Sequence, residues 1–194
     1  MHGCNVDRVI SEVGDVQHGV IGRSQAVSSG LTDRQIEIRK DQGRWEQNLR
    51  GTYRIRGAAP TWHQDLMAAV LAGGPGTAVS HRSALELHGI MPFAHLIEVV
   101  TPRARRFRTE GQVTIHTSMV LPIEDVTVVD GIVVATVERA LLDSGAVVSD
   151  RKLQYCVDAS VRLGLTNHDR LSSLLSARRK RGRPGVRRLE RVLE

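Results

Sequence analysis

The stretch TDRQIEIRKDQGRWEQNLRGTYRI, residues 32–55, changes its pattern halfway along. Thr32 offers a side-chain oxygen for an N-cap, and Gly43 is a residue type that ends helices. The first half therefore predicts a helix over residues 33–42. This helix is short and carries as many acidic as basic side chains, so its role depends on the elements beside it.

A basic hairpin is predicted directly after this helix. Residues 45–49 and 53–56 read as strands, and Arg50 with Gly51 provides the turn between them. A short polar helix followed at once by such a hairpin is typical of a DNA-binding unit.

Two more helices are predicted upstream. Residues 6–13 repeat valine and isoleucine at helical spacing after Asn5, a good N-cap. After a predicted loop over residues 15–22, a second helix covers residues 24–29 and ends at Gly30. The order of helix, helix, turn, helix and hairpin is that of a winged helix-turn-helix. The alternative is an ordinary three-helix miniature domain.

The rest of the chain predicts a second, mixed domain after a linker at residues 58–60. Helices are expected over residues 61–72, 81–88, 137–148, 151–163 and 167–177, the last capped by Thr166. Strands are expected over residues 96–100, 113–117, 126–129 and 132–135, the last two joined by a two-residue turn at Asp130 and Gly131. Strands and helices do not alternate strictly, which argues against a Rossmann-type sheet.

The predicted fold class is therefore α+β, with an N-terminal winged helix-turn-helix followed by a mixed α+β domain that has a small sheet and C-terminal helices. We divide the chain into a DNA-binding domain over residues 1–58, an α+β domain over residues 59–177 and a basic tail over residues 178–194. The tail ends in an amphipathic helix with arginines on its polar face.

The positive charge of the chain is unevenly distributed. Its net charge is +6, from 27 basic and 21 acidic residues. Residues 178–194 hold 8 of the basic and 2 of the acidic residues, which leaves 19 of each in the rest of the chain. Elsewhere basic side chains cluster within residues 44–56 and 103–108. Such clusters indicate an acidic partner, of which nucleic acid is the commonest.

Several features predict a cytoplasmic location. The longest apolar run, residues 132–137, is far shorter than the roughly 20 residues of a membrane span. The first residues carry acids and helical apolar spacing, unlike a signal peptide. Cys4 and Cys156 are too few and too far apart for a metal knuckle, and we expect both to be reduced.

We find no catalytic motif in the sequence and expect a protein that is not an enzyme and needs no metal or cofactor. His81 and His88 lie near one helix face, but without an HExxH motif or a matching carboxylate. Capping and packing account for them. The GGPG turn at residues 73–76 lacks the lysine and hydroxyl residue of a phosphate loop, and Glu98 is followed by valines rather than by the acid-x-lysine pattern of many nucleases.

The candidate base-reading side chains lie on the predicted helix 33–42. At 100° per residue from Ile36, which is expected to be buried, the far face and one flank carry Arg34, Ile38, Gln42, Gln35 and Arg39. Arginine pairs with guanine and glutamine with adenine, while an isoleucine can touch a thymine methyl group. Thr32 at the helix start completes this set. The alternative is a solvated face, because the helix as a whole is neutral.

The hairpin is the candidate phosphate-binding wing. Strand alternation turns Tyr53 and Ile55 inward and the neighbouring arginines outward. The arginines of the wing are Arg44, Arg50, Arg54 and Arg56, opposed by Glu46. Arginines arranged in this way bind DNA phosphates without regard to sequence.

Further contacts with nucleic acid are expected from two other basic segments. The candidate side chains are Arg103, Arg105, Arg106 and Arg108 of the RARRFR segment, and Arg187 and Arg188 of the last helix. RARRFR could extend the DNA surface, stack Phe107 on an RNA base, or form only a loop.

The sequence resembles the AbiEi-type antitoxins of type IV toxin–antitoxin systems. The resemblance is most specific at GRWEQNLRGTYRI and at WHQDLMAAVLAGGPGTAVSHRSALELHGI. It continues through VTIHTS, EDVTVVDGIVVATVERALLD and GRPGVRRLERVL, and so covers nearly the whole chain. Thr52 departs from the aliphatic residue usual in such proteins, a change that should leave the hairpin intact.

The resemblance implies an N-terminal winged helix that binds operator DNA and represses its own operon. It also implies that the second domain helps to neutralise a nucleotidyltransferase-like toxin encoded nearby, through direct contact or otherwise. Similar proteins often continue into a nuclease-like domain, which is either absent here or missing from this chain. Two alternatives remain open: the DNA-targeting part of a nuclease whose catalytic domain lies elsewhere, and an RNA-binding module.

Overall fold

The structure, a computed structural model, describes residues 3–57, 59–103, 109, 111, 113–119, 121–178 and 184–194. Within these residues the helices are α1 (Gly3–Val16), α2 (Arg23–Ser28), α3 (Asp33–Asp41), α4 (Trp62–Gly73), α5 (His81–Leu87), α6 (Val137–Ser144), α7 (Asp150–Arg162), α8 (His168–Arg178) and α9 (Pro184–Leu193). The strands are β1 (Val20–Gly22), β2 (Trp45–Leu49), β3 (Thr52–Ile55), β4 (Ala78–Val79), β5 (Glu98–Pro102), β6 (Thr114–Ser118), β7 (Val126–Val129) and β8 (Ile132–Ala135). The predicted α+β class is confirmed.

The first three strands form an antiparallel sheet in the order β1-β3-β2. The β2–β3 hairpin was predicted correctly, and its register keeps Thr52 beside Leu49. Strand β1, which pairs Val20 with Arg54, was wrongly predicted as loop. Its three residues are all buried and too few to reveal a period of two.

Helices α1 to α3 pack on one face of this sheet around a small core. The core side chains are Ile10, Ile21, Ala26, Leu31, Ile36, Trp45 and Tyr53. The rings of Trp45 and Tyr53 stack with centroids 5.5 Å apart, a separation at which aromatic pairs attract each other. This core fixes the position of α3.

The opposite face of the sheet is covered by α4. Val20 is fully buried and belongs to the apolar cluster of the second unit, against which Leu49 also packs. Gln64 of α4 donates from Nε2 to the carbonyl oxygen of His18 at 2.9 Å. Helix α4 thus lies between the two sheets and joins them. A linker was predicted just before this helix, at residues 58–60, and Ala58 lies outside the described residues.

The second sheet has the strand order β6-β5-β4-β8-β7. Strand β4, which the sequence did not reveal, pairs antiparallel with β5 and parallel with β8, and β5 pairs parallel with β6. The predicted turn between β7 and β8 is confirmed, with positive φ at both Asp130 and Gly131. The sheet brings α5, β5 and β6 together at one edge.

Helix α8 begins one residue later than predicted, so the expected cap is wrong. Asn167 accepts the backbone N–H of Arg170 on its Oδ1 at 2.9 Å and is the capping residue. Thr166 instead donates to Oε1 of Glu138 at 2.7 Å, inside the protein. Its hydroxyl links α6 to the start of α8.

Helix α9 is packed into the second unit and does not project from it. Val186 and Leu189 are buried against its core, and the guanidinium of Arg188 donates to the carbonyl oxygens of Gly145 and Val148. Residues 184–194 are therefore part of the α+β unit, in contrast to the expected tail. Residues 179–183 lie outside the described part of the chain.

Candidate nucleic-acid interface

The turn between α2 and α3 holds the two helices in a fixed relation. Gly30 has a φ of 102°, in the region that favours glycine, and lets the chain reverse. The N–H of Leu31 returns to the carbonyl oxygen of Ala26 at 3.0 Å. Leu31 and Ile36 are buried on either side of the turn, so α3 is anchored through its inner face.

The start of α3 is closed by a capping box. The backbone N–H of Gln35 donates to Oγ1 of Thr32, and the N–H of Thr32 donates to Oε1 of Gln35 at 2.9 Å. Both predicted site residues thus have a structural role. Recognition of adenine by Gln35 needs its carbonyl oxygen as well as its amide N–H, so that contact would have to open the box.

The outer face of α3 is open to solvent. Within α3, all of which is described, Ile36 is the one buried side chain. Arg34 is exposed and forms no ion pair with a described residue, and Ile38 is 42% exposed. Lys40 is held by Glu37 at 2.8 Å. A cationic and an apolar side chain therefore stand free where base edges would be read.

Arg39 does not belong to this free face. Its guanidinium donates to Oδ1 of Asp7 at 2.6 Å and lies over the ring of Trp45. The side chain is 12% exposed. Arg39 ties α1 to α3, and its predicted role on the base-reading flank is replaced by this internal one.

The expected outward direction of Arg54 is wrong. Its Nη2 donates to Oε2 of Glu46 at 2.9 Å, and its side chain is 11% exposed. It faces the side of the sheet on which α4 packs: burial raises the pKa of Asp65 on α4, and the charge of Arg54 partly offsets this rise. The alternation argument failed because both faces of this sheet are covered.

The remaining wing arginines are accessible. Arg44 and Arg50 are exposed and pair with no acidic side chain in the described residues. Arg56 is 61% exposed, with its Nε 3.4 Å from Glu46. These three arginines, unlike Arg54, can reach an external phosphate.

Arg23 is a basic residue of this surface that the sequence analysis missed. Its backbone N–H donates to the carbonyl oxygen of Gly51 at 2.8 Å, and its guanidinium pairs with Asp33 at 2.6 Å. These contacts bring the hairpin turn next to the start of α3, with Arg50 adjoining them. No local pattern signals a pairing between residues so far apart in the chain.

The other candidate arginines lie in the second unit or outside the description. Arg103 is exposed beside Met119, and Arg187 is exposed on α9. Arg188 is engaged with backbone carbonyl groups, as described above. Arg105, Arg106 and Arg108 lie outside the described residues.

Among the described residues, we find neither a metal-binding cluster nor a membrane-spanning helix. In the described ranges, no group of three or more histidine, cysteine or carboxylate side chains is arranged to hold a metal ion. None of the helices described is both long enough and apolar enough to cross a bilayer. Burial raises the pKa of the Cys156 thiol to about 11, so this cysteine is a poor nucleophile.

Comparison with known proteins gives a structural likeness. No protein-family model matches the chain, and no curated protein is detectably similar in sequence. The fold resembles the crystal structure of the RV2827C protein from Mycobacterium tuberculosis, with a TM-score of 0.60 and 17% sequence identity. The match covers 98% of this chain and 76% of that one. At this identity the likeness concerns the fold alone.

Proposed function

We propose that residues 1–58 form a winged helix-turn-helix that binds double-stranded DNA, and that the protein is a cytoplasmic antitoxin that represses its own operon. The observation that carries the proposal is the open face of α3, a capped helix anchored through Ile36 with Arg34 and Ile38 free outside it. A helix presented in this way fits the major groove. Arg44, Arg50 and Arg56 lie near the two ends of this helix, where their guanidinium groups would bind DNA phosphates.

The antitoxin part of the proposal depends on the sequence resemblance to AbiEi-type proteins. We infer that the α+β unit neutralises a nucleotidyltransferase-like toxin encoded next to it. Repression and neutralisation would then depend on different surfaces. No enzymatic step and no cofactor is required for either.

DNA binding is tested by anisotropy with a labelled duplex from upstream of the gene and a scrambled duplex, over a range of salt concentrations. Arg44→Ala and Arg50→Ala should each weaken both complexes and flatten the salt slope by ~0.9, because each removes one phosphate contact. Arg34→Ala should cost ~1–3 kcal/mol on the operator and little on the scrambled duplex.

The control is Arg151→Ala, which removes the same charge from an exposed position on α7. It should leave both complexes unchanged. Equal losses in Arg151→Ala and Arg50→Ala would mean that only net charge matters, and the α3 surface would not be the DNA site.

Separation of the two activities is tested in cells that carry the toxin and an operator–reporter fusion. The triple variant Arg34→Ala, Arg44→Ala, Arg50→Ala should lose repression but still protect against the toxin. The changes lie at exposed positions, so the fold should persist. Loss of protection by a stable triple variant would show that the two activities share one surface.

A further inference from the structure

A polar cleft opens at the edge of the second sheet, away from the α3 surface. It encloses about 320 Å³ between the ends of β5 and β6, the start of α5, and α6. Its polar lining includes His81, Arg103, His116, Ser118, Arg139 and Asp143. The volume is enough for a small ligand, and we call this site the His81 cleft.

His81 is held in the cleft in an unfavourable backbone conformation. Its φ is 51°, a left-handed value that residues other than glycine rarely adopt. Strained residues of this kind persist where their surroundings enforce them, often at ligand sites. Capping and packing, the roles expected from the sequence, give no reason for the strain. His88, in contrast, has a packing role, since its Nε2 lies 2.8 Å from the carbonyl oxygen of Ala135.

The ring of His81 has one nitrogen engaged and one free. Nδ1 lies 2.9 Å from Oγ of Ser80, which orients the ring. For Nε2 there is no hydrogen-bond partner among the described residues, although the side chain is only 7% exposed. Nε2 is thus available to a ligand that enters the cleft.

His116 lies against this ring. The two imidazoles stack with centroids 3.5 Å apart and an interplanar angle of 16°. Nε2 of His116 is 3.2 Å from Oε1 of Glu98, which is also held by Arg82. Nδ1 of His116 has no partner in the described part of the chain. Two nitrogens on adjacent rings are thus available at one place.

Burial and the charges around the cleft disfavour protonation of the His81 ring. Burial, reinforced by His116, lowers the pKa of His81 to about 3, while Glu98 acts in the opposite direction. Arg139 and Arg82 contribute to the lowering. The His81 ring therefore stays neutral unless negative charge enters the cleft.

The charged side chains of the lining are compatible with a bound anion. Arg139 is shared between Asp125 at 2.7 Å and Asp143 at 2.8 Å, and Arg178 also pairs with Asp125. Arg103 at the mouth pairs with no acidic residue in the described ranges, and its Nη1 contacts the sulfur of Met119. Asp143 is the acidic side chain of the lining and opposes the binding of an anion. A hydroxyl group on a partly protonated ligand would offset this by donating a hydrogen bond to Asp143.

We propose that the His81 cleft binds a phosphate group, either free phosphate or the terminal phosphate of a nucleotide. In the complex, the ring of His81 takes up a proton and donates from Nε2 to a phosphate oxygen, Nδ1 of His116 accepts a hydroxyl group of the ligand, and Arg103 closes over the anion. A hydroxyl of the phosphate, or of an attached ribose, donates to Asp143. This function is independent of DNA binding by α3.

The proposal predicts proton uptake on binding. An anion beside the His81 ring raises the pKa of that ring, so affinity should rise as the pH falls toward the pKa of the free ring, about 3. Sulfate serves as the probe for this pH series, because it does not titrate in that range. The groups that face His81 are Arg82, Glu98, Arg103, His116, Arg139 and Asp143, and Asp143 opposes the anion at every pH at which it is ionised.

The experiment is calorimetric titration of the full chain with inorganic phosphate, adenosine 5′-monophosphate and adenosine, together with histidine ¹⁵N spectra. We expect saturable binding of both phosphates but not of adenosine, and shifts in the ring signals of two histidines. Tighter binding of the nucleotide than of phosphate would identify a nucleotide as the ligand. Equal affinities would identify free phosphate.

Two variants and one control decide the assignment. His81→Asn keeps a residue that tolerates positive φ but removes the ring, and Arg103→Ala changes an exposed side chain; both should weaken binding at least tenfold. His168→Asn, on the exposed face of α8, should bind normally. Absence of phosphate binding by the folded wild-type chain, or unchanged binding by Arg103→Ala, would overturn the proposal even if His81→Asn fails to fold.

Discussion

At the residue scale, the same side chain takes opposite roles according to its neighbours. Arg50 is exposed and unpaired with any described acid, whereas Arg54, four residues later, is nearly buried against Glu46. Surface ion pairs contribute little stability, but a charge that is mostly buried depends on its partner. The basic hairpin is therefore partly an accessible basic surface and partly a structural contact.

A second residue-scale feature is the pair of buried groups, His81 and Glu98. Burial opposes ionisation of Glu98, but hydrogen bonds from His116 and Arg82 outweigh it and lower its pKa to about 2. Burial keeps the His81 ring neutral, with a pKa of about 3. In both cases the unfolded chain binds a proton that the folded chain does not, so acid favours unfolding.

We expect stability to decrease as the pH falls below about 6.5, the ordinary pKa of histidine. The slope from His81 should approach ~1.4 kcal/mol per pH unit, and Glu98 should add to it below about 4.5, toward its folded pKa of about 2. Asp143 and Asp65, whose pKa values are raised by burial, act in the opposite sense. Urea unfolding at a series of pH values, in buffer without oxyanions, measures the sum.

His81→Asn is the control for this pH dependence. It should remove the decrease between about pH 6.5 and about pH 4.5 and leave the part due to Glu98. Identical profiles for the variant and the wild type would show that His81 is protonated in the folded protein.

At the element scale, α9 shows how a segment with the composition of a tail becomes part of a core. A Cβ atom built on Gly185 would overlap the carbonyl oxygen of Leu142, so α9 approaches the backbone of α6 as closely as glycine allows. Arg188 donates to carbonyl groups that follow α6, and Arg191 pairs with Asp150. Two of the described arginines at residues 178–194 are thus engaged by other groups of the protein.

Gly185→Ala should destabilise the protein, although alanine is the better helix former. In a free helix the change would stabilise by up to ~1 kcal/mol. Here we expect a loss of at least ~1–3 kcal/mol in the free energy of unfolding, because the methyl group forces α9 away from α6. Thermal and urea unfolding measure it.

Arg187→Ala is the matched control, on an exposed position of the same helix. It should change stability by less than ~0.5 kcal/mol. A stabilised Gly185→Ala variant would mean that α9 does not pack closely on α6.

At the scale of the whole molecule, the N-terminal unit and the α+β unit are closely packed together. Helix α4 contacts both sheets, and Nε2 of His18 lies 2.6 Å from the carbonyl oxygen of Asp130 in the β7–β8 turn. A Cβ atom on Gly131 would meet the carbonyl oxygen of Val16 at 2.7 Å. The end of α1 therefore abuts the second unit directly.

Residues 1–58 alone should consequently fail to fold cooperatively. Without α4, Val20 and the rest of the sheet face that α4 covers are exposed to solvent. The stability of a unit of this size is marginal even when the unit is complete. The full chain should unfold in one transition, whereas the fragment should show none in urea or on heating. A folded fragment that binds the operator as tightly as the full chain would show that the units are independent.

The sequence by itself determined the elements whose signals are local. Thr32 caps α3, Gly43 has positive φ after α3, and Asp130 with Gly131 forms the predicted turn. Caps, left-handed residues and helical spacing act within a few residues, so the chain specifies them before any packing occurs.

Only the tertiary structure decided what depends on distant partners. Strands β1 and β4 are too short to carry a pattern and exist because neighbouring strands pair with them. Arg50 pairs with no acidic side chain of the described residues, whereas Arg39 is held by Asp7. The difference depends on where the fold places acidic side chains from elsewhere in the chain. The His81 cleft likewise forms only when β6 lies beside β5, because no local pattern relates His81 to His116.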